Sequence, residues 1–454
     1  MDELEAISPI DGRYRRHTEP LIDFSEKGLI KYRIKVEGEY FIFLSEHPQI
    51  KLREFSEEEK GLVRKLYDIS LADAKAVKSI EAETNHDVKA IEYFMKSKLR
   101  ESSLKDSLEW IHFGLTSNDT NNIAYSLVLS DSLEKEILPV AEDLYRKIGE
   151  FAQKYKSTIM LARTHGQPSS PTTFGKEFKV FSSRLKRQIE QLGNYKILVK
   201  LNGATGNYNT HQVAYPEINW LEFTEYFINR LSIGREIKLK PNFITTQIEP
   251  HDSYAELFDN LRRLNTIVID FNQDIWRYIS DGWLKQKLVK GEVGSSTMPH
   301  KVNPIDFENS EGNLGMANAL FEFFSRKLPI SRLQRDLSDS TVKRNFGVAL
   351  SHSLIGYKST LKGLSKLAVD EGKVIMELEN HPEVIAEAIQ TVLRRENVKG
   401  AYEKLKGLTR GRKVTMDDFK EFIKELEIPN TIKDELMKIT PTNYTGIAEV
   451  LATL

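Results

Sequence analysis

Long stretches without proline constrain the fold of this chain more than any other feature of its sequence. Proline is missing from residues 172–215, 251–298 and 330–381, and such stretches permit long helices because proline breaks helical hydrogen bonding. In the second stretch, apolar residues recur at steps of three and four, the period of a helix and not of a strand. These residues are Tyr254, Leu257, Phe258, Leu261, Leu264, Ile267, Val268, Phe271, Ile275 and Ile279. A helix through them is about 40 Å long at about 1.5 Å per residue, and helices of this length usually pack in bundles.

Residues 172–200 follow the same helical period. Their apolar face consists of Phe174, Phe178, Phe181, Leu185, Ile189 and Leu192. Stretches of strand length that alternate between polar and apolar residues are scarce, and short ribbons are expected only near Lys238–Phe243 and in the loop Asn202–Asn209. Together these patterns predict an all-α fold.

The helices are expected to form three domains. Residues 1–116 form an N-terminal helical domain, residues 117–365 a central bundle of long helices, and residues 366–454 a smaller helical domain with an internal loop at 407–412. Apolar faces on so long a bundle also indicate that helices pack between subunits.

Composition narrows the classes of function. The 454 residues suffice for two or three domains, and 65 Lys and Arg balance 66 Asp and Glu, so no nucleic-acid partner is expected. The absence of cysteine excludes disulfides, thiolate metal sites and cysteine nucleophiles. No apolar run approaches the roughly 20 residues of a membrane span, and the acidic N-terminus lacks the apolar core of a signal peptide. A cytoplasmic location without membrane contact is the resulting expectation.

The segment from Gly294 to Pro304 reads G-S-S-T-M-P-H-K-V-N-P and is the most informative polar motif. Glycine and tandem serines can turn several backbone N–H groups toward one point and so attract an anion. Lys301 adds a compact positive charge, and Asn303 adds a neutral donor and acceptor. The combination suits a carboxylate beside a serine hydroxyl that must lose its proton, whereas an isolated Gly-Ser-Ser would only indicate a loop between helices.

This segment resembles the G-S-S-x-M-P-x-K-x-N-P signature of the fumarase/aspartase superfamily. Members of that superfamily release fumarate, or a close relative of it, from a substituted succinate. The signature alone leaves fumarase, aspartase, argininosuccinate lyase and adenylosuccinate lyase as alternatives.

Two further segments resemble adenylosuccinate lyases in particular. In 162–173 the pattern T-H-G-Q-P-S-x-P-T contains His165, which can donate a proton near neutral pH, although a lone loop histidine usually lies at the surface. In 83–93 the pattern T-N-H-D-V-K-A-x-E-Y contains Asn85, His86 and Asp87. Thr84 or Asn85 can alternatively cap a helix with Asp87 in its first turn, but the resemblance implies that these residues bind substrate and that His86 lies near the acid.

The other matching segments imply substrate contacts along most of the chain. The T-S-x-D pattern beginning at Thr116 and the T-T-Q-I-E-P-H-D pattern of 245–252 are similar to family segments that bind substrate. The run 331–345, which alone reads as a solvated loop, resembles the nucleotide-binding R-D-x-S-x-S-T-V-x-R of the family, and 8–14 resembles the opening of its longer bacterial type. The residues implied to bind substrate are Arg13, Tyr14, Asn85, His86, Asp87, Thr116, Ser117, Gln247, Lys301, Asn303, Arg335, Ser340, Thr341 and Arg344.

The resemblance also implies a mechanism. Ser295 is the expected base, Lys301 and Asn303 stabilise charge on the carboxylate, His165 is the expected acid, and Glu308 its partner. His86 completes the catalytic group. The family works without a metal or an organic cofactor, as a homotetramer whose central bundles form a twenty-helix core and whose active sites are shared between subunits.

Two other functions are compatible with the fold. One is a superfamily lyase that acts on another substrate, such as argininosuccinate or aspartate, against which the nucleotide-type segments argue. The other is a non-catalytic scaffold, which loss of Ser295, His165 or Lys301 would indicate. All three residues are present.

Overall fold

The computed structural model describes residues 2–287, 298, 301–411 and 413–454. Within these residues the chain forms twenty α-helices and only short strands of two to four residues, so the predicted all-α class is confirmed. None of the described helices has an apolar stretch long enough to cross a bilayer.

The first part of the chain contains seven helices and three 3-10 turns, at Glu3–Glu5, Glu19–Phe24 and Leu108–Trp110. A π-helical turn, Leu133–Ile137, connects the last two helices. The helices are α1 (Arg15–Thr18), α2 (Glu26–Ser45), α3 (Glu57–Lys65), α4 (Leu71–Thr84), α5 (Asp87–Leu99), α6 (Ser117–Ser132) and α7 (Leu138–Lys154).

The rest of the chain contains the longest helices and a series of shorter ones, with a 3-10 turn at Pro382–Ile385. In the middle of the chain are α8 (Phe174–Gly193), α9 (Asn209–Ala214), α10 (Trp220–Leu231), α11 (Asp252–Ser280) and α12 (Ile305–Lys327). The later helices are α13 (Ser338–Lys343), α14 (Phe346–Lys366), α15 (Glu371–Glu379), α16 (Ala386–Arg395), α17 (Ala401–Thr409), α18 (Met416–Glu425), α19 (Asn430–Met437) and α20 (Ala448–Leu451).

The long helices arise where the apolar period predicted them. The helix α11 has 29 residues and is therefore about 43 Å long at about 1.5 Å per residue. Nine of its ten predicted stripe residues are buried, with Ile279 half-buried at the end, and all six stripe residues of α8 are buried. The period therefore marks the face that each helix packs against its neighbours.

The strands form four two-stranded pairs in the described chain. The antiparallel pairs are β1 (Ile159–Met160) with β4 (Thr172–Thr173), β2 (Arg163–Thr164) with β3 (Gln167–Pro168), and β7 (Leu284–Gln286) with β8 (Leu367–Val369), whereas β5 (Lys196–Val199) and β6 (Lys238–Pro241) are parallel.

The ribbon predicted near Lys238–Phe243 is thus present, but the one predicted in Asn202–Asn209 is wrong. Gly203, Gly206 and Tyr208 have positive φ angles there, a conformation incompatible with an extended strand. The loop predicted at 407–412 begins later than expected, since α17 continues to Thr409.

The described chain divides into two compact units, each assembled from three segments of sequence. The first contains Met1–Glu142, Arg187–Ile269 and Asn309–Lys358, and Phe258 packs there on Phe321, Phe324 and Phe346 with ring centroids 4.7–5.5 Å apart.

The second unit contains Asp143–Lys186, Asp270–Glu308 and Ser359–Leu454. Phe271 contacts Phe178 and Phe181 in its core. The three consecutive domains expected from the sequence, 1–116, 117–365 and 366–454, stay a prediction.

Candidate active site

Four of the predicted substrate residues meet in the first unit. The Arg335 Nη1 atom lies 3.3 Å from Ser117 Oγ and 3.4 Å from Gln247 Oε1, and Gln247 Nε2 donates to Thr116 Oγ1 at 3.4 Å. Two hydroxyls, an amide and a guanidinium therefore come together from three distant segments. Such a group can hold a carboxylate or phosphate oxygen by charge-assisted hydrogen bonds.

Asp119 fixes the position of the Thr116–Ser117 pair. Its Oδ2 atom accepts a hydrogen bond from the Thr116 N–H at 2.8 Å, at the start of α6. Its Oδ1 atom lies 2.7 Å from Lys200 Nζ and accepts from the Asn202 N–H at 3.1 Å. Lys200 was missed by the sequence reasoning because an isolated lysine normally indicates a solvated position.

The 85–87 segment forms a sharp junction between α4 and α5. Asn85 ends α4 in the left-handed conformation, with a φ angle of 52°. His86 caps α5, since its Nδ1 atom accepts from the Lys89 N–H at 3.1 Å. The expectation that Thr84 or Asn85 would supply the cap is wrong, although Asp87 does lie in the first turn of α5.

Asp87 is paired with an arginine that the motifs did not reveal. Arg33 Nη2 lies 2.6 Å from Asp87 Oδ2, and Arg33 Nε donates to Asn121 Oδ1 at 2.7 Å. Burial by itself would raise the pKa of Asp87, but the Arg33 guanidinium and the Val88 N–H outweigh it, so this pKa is lowered. The Arg33 side chain is only 2 % exposed, and its position between Tyr32 and Ile34 on α2 is the only local signal of its burial in the sequence.

The 338–344 segment presents Ser340, Thr341 and Arg344 on and just after α13. Arg344 Nη1 donates to Ser340 Oγ at 2.7 Å. It also lines a cavity of about 320 Å³, together with Asp11, Arg15 and Ser351. Serine hydroxyls beside an arginine are the chemistry expected of a phosphate site.

A buried charged cluster joins α13 to His251. Asp339 Oδ2 lies 2.6 Å from Lys343 Nζ and 3.6 Å from Nε2 of His251, a histidine without solvent exposure. Burial alone would raise the pKa of Asp339, but His251 and Lys343 hold this pKa well below its usual range. His251 was not singled out as a functional residue from the sequence, and it links the Gln247 segment to α13.

The predicted N-terminal pair also belongs to the first unit. Tyr14 donates its hydroxyl hydrogen to Asn309 Oδ1 at 3.0 Å, and the Arg13 guanidinium lies 6.0 Å from the centroid of the Tyr14 ring. The Tyr14 ring is thereby held by α12 through Asn309.

The predicted acid lies in the second unit, at the tip of the β2–β3 hairpin. His165 and Gly166 occupy the turn with φ angles of 53° and 75°, and the imidazole is exposed. A turn with positive φ at both central residues matches the twist of a two-residue hairpin. His165 is thus exposed to solvent at the end of a short two-stranded hairpin.

Part of the signature segment is described in the same unit. The Lys301 N–H donates to the Met298 carbonyl at 3.1 Å, and Gln286 Nε2 donates to the Val302 carbonyl at 3.3 Å, which places Asn303 just before α12. Ser295 lies outside the described residues.

Glu308 lies in the first turn of α12, where its Oε1 atom accepts from Trp276 Nε1 at 3.1 Å. The pairing of Glu308 with His165 stays a prediction.

Two models of known protein families together match almost the whole chain. A family model described as Lyase matches residues 12–318, and this match defines the class of protein to which the chain belongs. A second model, described as Adenylosuccinate lyase C-terminal, matches residues 331–445.

Full-length relatives agree with both models. The chain is 51% identical to adenylosuccinate lyase of Dictyostelium discoideum, with 98% of this chain and 97% of that protein covered. It is 50% identical to adenylosuccinate lyase of Haemophilus influenzae and 48% identical to that of Escherichia coli K12, in both cases with 99% of this chain and 98% of the relative covered. The chain belongs to the adenylosuccinate lyase family.

Solved structures support the fold. A fumarate lyase from Mesorhizobium sp. BNC1 matches with a TM-score of 0.73 at 16% identity, covering 96% of each chain. The β-carboxy-cis,cis-muconate cycloisomerase of Acinetobacter calcoaceticus matches with a TM-score of 0.70 at 16% identity, covering 97% of this chain and 96% of that one. The long-helix architecture is therefore that of this lyase fold.

Proposed function

We propose that this chain cleaves adenylosuccinate to AMP and fumarate. The observation that carries the proposal is the meeting of Thr116, Ser117, Gln247 and Arg335 in a chain of this family. Their donors suit the carboxylates of a succinyl group. Ser340 and Arg344, beside the cavity of the first unit, suit the phosphate of a nucleotide.

The reaction is a β-elimination that breaks a carbon–nitrogen bond. A base removes a proton from the carbon next to one carboxylate and leaves a dianionic aci-carboxylate. The electron pair then forms the double bond of fumarate as the bond to nitrogen breaks, and an acid protonates the departing nitrogen. The reaction is redox-neutral, and the nucleotide amine is stabilised by its own ring, so the proposed mechanism needs neither a metal nor an organic cofactor.

We assign Ser295 as the base and His165 as the acid. Lys301 and Asn303 stabilise the charge that develops on the carboxylate, which is commonly the largest electrostatic contribution to such catalysis. The succinyl part is held by Thr116, Ser117, Gln247 and His86. Asn85 and Asp87, which flank His86 in the sequence, are further substrate-binding residues. Arg13, Tyr14, Ser340, Thr341 and Arg344 hold the nucleotide. Arg335 is assigned to the nucleotide as well, and it also contacts Ser117 and Gln247.

The same site is proposed to act on a second substrate, the succinyl-aminoimidazole-carboxamide ribotide, from which it releases fumarate and the free carboxamide ribotide. Both substrates share the succinyl amine and the ribose phosphate. The groups proposed to bind each end therefore serve both reactions.

We further propose a homotetramer in which different subunits contribute to each active site, working in the cytoplasm. The apolar long-helix faces support the assembly, because exposed side chains such as Phe323 and Met316 on α12 provide apolar surface that a partner helix would cover. The balanced charge, the lack of cysteine and the nucleotide substrate support the location.

The test is to incubate purified, EDTA-treated protein with adenylosuccinate and to follow the appearance of AMP and fumarate. Both products are expected in equal amounts. Argininosuccinate, malate and aspartate are the comparison substrates. Turnover of one of these without any cleavage of adenylosuccinate would identify another lyase, and inactivity toward all of them would favour a scaffold.

A further inference from the structure

The turn that displays His165 is held by one arginine. Arg163 Nη1 donates to the Gly166 carbonyl at 3.4 Å, across the turn from His165. Its Nη2 atom lies 2.5 Å from Glu377 Oε1 on α15. The guanidinium also lies 5.6 Å from the centroid of the Trp283 ring. A planar guanidinium can make these contacts at once, whereas the point charge of a lysine cannot.

The groups that hold Arg163 are themselves tied together. The Asp370 N–H, at the start of α15, donates to the Trp283 carbonyl at 2.8 Å, and the β7–β8 pair joins the segments on which both lie. Lys285 Nζ lies 2.5 Å from Asp370 Oδ2. The ring and the carboxylate that contact the guanidinium therefore lie on segments that are hydrogen-bonded to each other.

A second contact holds the base of the hairpin. Ser170 Oγ donates to Glu387 on α16, and Tyr444 donates its hydroxyl hydrogen to the same carboxylate at 3.0 Å. The hairpin is thus fixed at its base by α16 and near its tip by α15. Near the tip, Arg163 connects Glu377 on α15 to the Gly166 carbonyl in the turn.

We propose that Glu377, acting through Arg163, is a positioning residue that orients the His165 turn for proton transfer. The inference rests on the acid role proposed for His165. A general acid must come within hydrogen-bond reach of the atom that it protonates, and a displacement of about 1 Å can lower a rate on the order of 10²-fold. The Arg163 and Glu377 side chains are 27% and 30% exposed, and ion pairs near the surface add little to stability, so loss of this pair affects catalysis more than folding.

The experiment is a double-mutant cycle with Glu377→Gln, His165→Asn and the double variant, each assayed for kcat, KM and Tm. Glu377→Gln is expected to lower kcat about 10- to 100-fold, with KM changed less than about threefold and Tm nearly unchanged. In the His165→Asn background, Glu377→Gln should change kcat very little, because the group that it positions is gone. The matched control is Glu435→Gln, which removes a different carboxylate–arginine pair, with Arg395 at 2.6 Å, and should leave kcat at the parent level.

Normal kcat in Glu377→Gln would overturn the inference, as would an equal loss in both backgrounds, since the residue would then act independently of His165. Full activity of His165→Asn would overturn the acid role and this inference with it. An inactive parent protein would instead reject the proposed function. If Glu377→Gln does not fold, Arg163→Lys supplies the same test, because lysine keeps the charge but cannot span Gly166 and Glu377; undiminished kcat there also overturns the inference.

Discussion

Lys200 and Asp119 form an ion pair in which neither side chain is exposed to solvent, with Lys200 Nζ 2.7 Å from Asp119 Oδ1. The lysine also donates to the Gly203 carbonyl at 2.8 Å. Burial lowers the pKa of Lys200, while the Asp119 carboxylate opposes that shift. Since Asp119 also accepts from the Thr116 N–H, this internal pair supports the segment proposed to bind the succinyl group.

Replacing Asp119 should therefore damage both stability and substrate binding. Asp119→Asn leaves the Lys200 charge buried without its counter-charge, which typically costs about 3–5 kcal/mol. We expect a clear fall in Tm by calorimetry, and a smaller fall when Lys200→Met is combined with it, because the unpaired charge is then removed. Equal Tm values for the single and the double variant would contradict this account.

Arg335→Lys tests the guanidinium that contacts both Ser117 and Gln247 in the proposed substrate site. A lysine keeps the charge but cannot reach Ser117 and Gln247 with the geometry of the guanidinium. Hydrogen bonds to charged groups contribute about 1.5–3 kcal/mol, so kcat/KM for adenylosuccinate should fall about 10- to 100-fold. Arg332→Lys, an exposed position three residues earlier in the same segment, is the matched control and should remain near the parent value. An equal effect of the two substitutions would count against the assignment.

Asp274 on α11 predicts a pH-dependent change in stability. Burial, followed by the nearby Asp270 and Glu177 carboxylates, raises the pKa of Asp274 to about 6. Between the ordinary aspartate pKa of about 3.9 and this value, the unfolded chain loses its proton first, so rising pH lowers stability until the penalty is complete above about pH 6. Asp274→Asn removes that penalty, which solvent screening at this partly exposed site limits to the order of 1 kcal/mol.

The measurement is the Tm difference between Asp274→Asn and the parent at pH 8 and at pH 4.5. The variant should be more stable at pH 8, and its advantage should shrink at pH 4.5. Asp417→Asn, at an exposed position on α18, is the control and should give the same difference at both pH values. A larger advantage of Asp274→Asn at the lower pH would refute the prediction.

The sequence predicted best what depends on neighbours along the chain. The stripe from Tyr254 to Ile279 predicted α11, because a helix that packs against a core has apolar residues on the same face at every turn. The strand Lys196–Val199 was missed because its partner β6 begins about forty residues later. The pairing of Arg33 with Asp87 was missed for the same reason, since it depends on how α2 packs against α5.

The candidate site divides in a similar way. Short motifs predicted Thr116, Ser117, Gln247 and Arg335, and the structure brings these residues together. Lys200, which pairs with Asp119, carries no local pattern. His251 lies within the matching segment 245–252, but nothing in that segment indicates its contact with Asp339. Their roles arise from burial and from partners far away in sequence, which a single sequence does not display.

Ser295→Ala should abolish turnover while substrate binding is largely kept. Losing a general base typically costs about 10²–10⁴-fold in rate, and a residue that acts only in the transition state changes kcat more than affinity. Ser296→Ala, at the neighbouring hydroxyl, is the matched control and should be milder. Rates from pre-steady-state mixing and affinities from calorimetry separate the two effects. If Ser296→Ala is inactive and Ser295→Ala is nearly normal, the assignment of Ser295 as the base is wrong.

Mixing two inactive proteins tests whether subunits share active sites. If His165 and Ser295 of one site come from different chains of a homotetramer, a mixed tetramer of His165→Ala and Ser295→Ala contains sites that carry neither substitution. With random one-to-one mixing, about a quarter of the sites should be intact, since closed symmetry makes the sites equivalent. Co-expression with two different affinity tags allows mixed tetramers to be isolated before assay.

His165→Ala mixed with His165→Asn is the control and should stay inactive, because every site lacks the same histidine. If isolated mixed tetramers of the first pair are as inactive as this control, His165 and Ser295 of each site belong to a single chain.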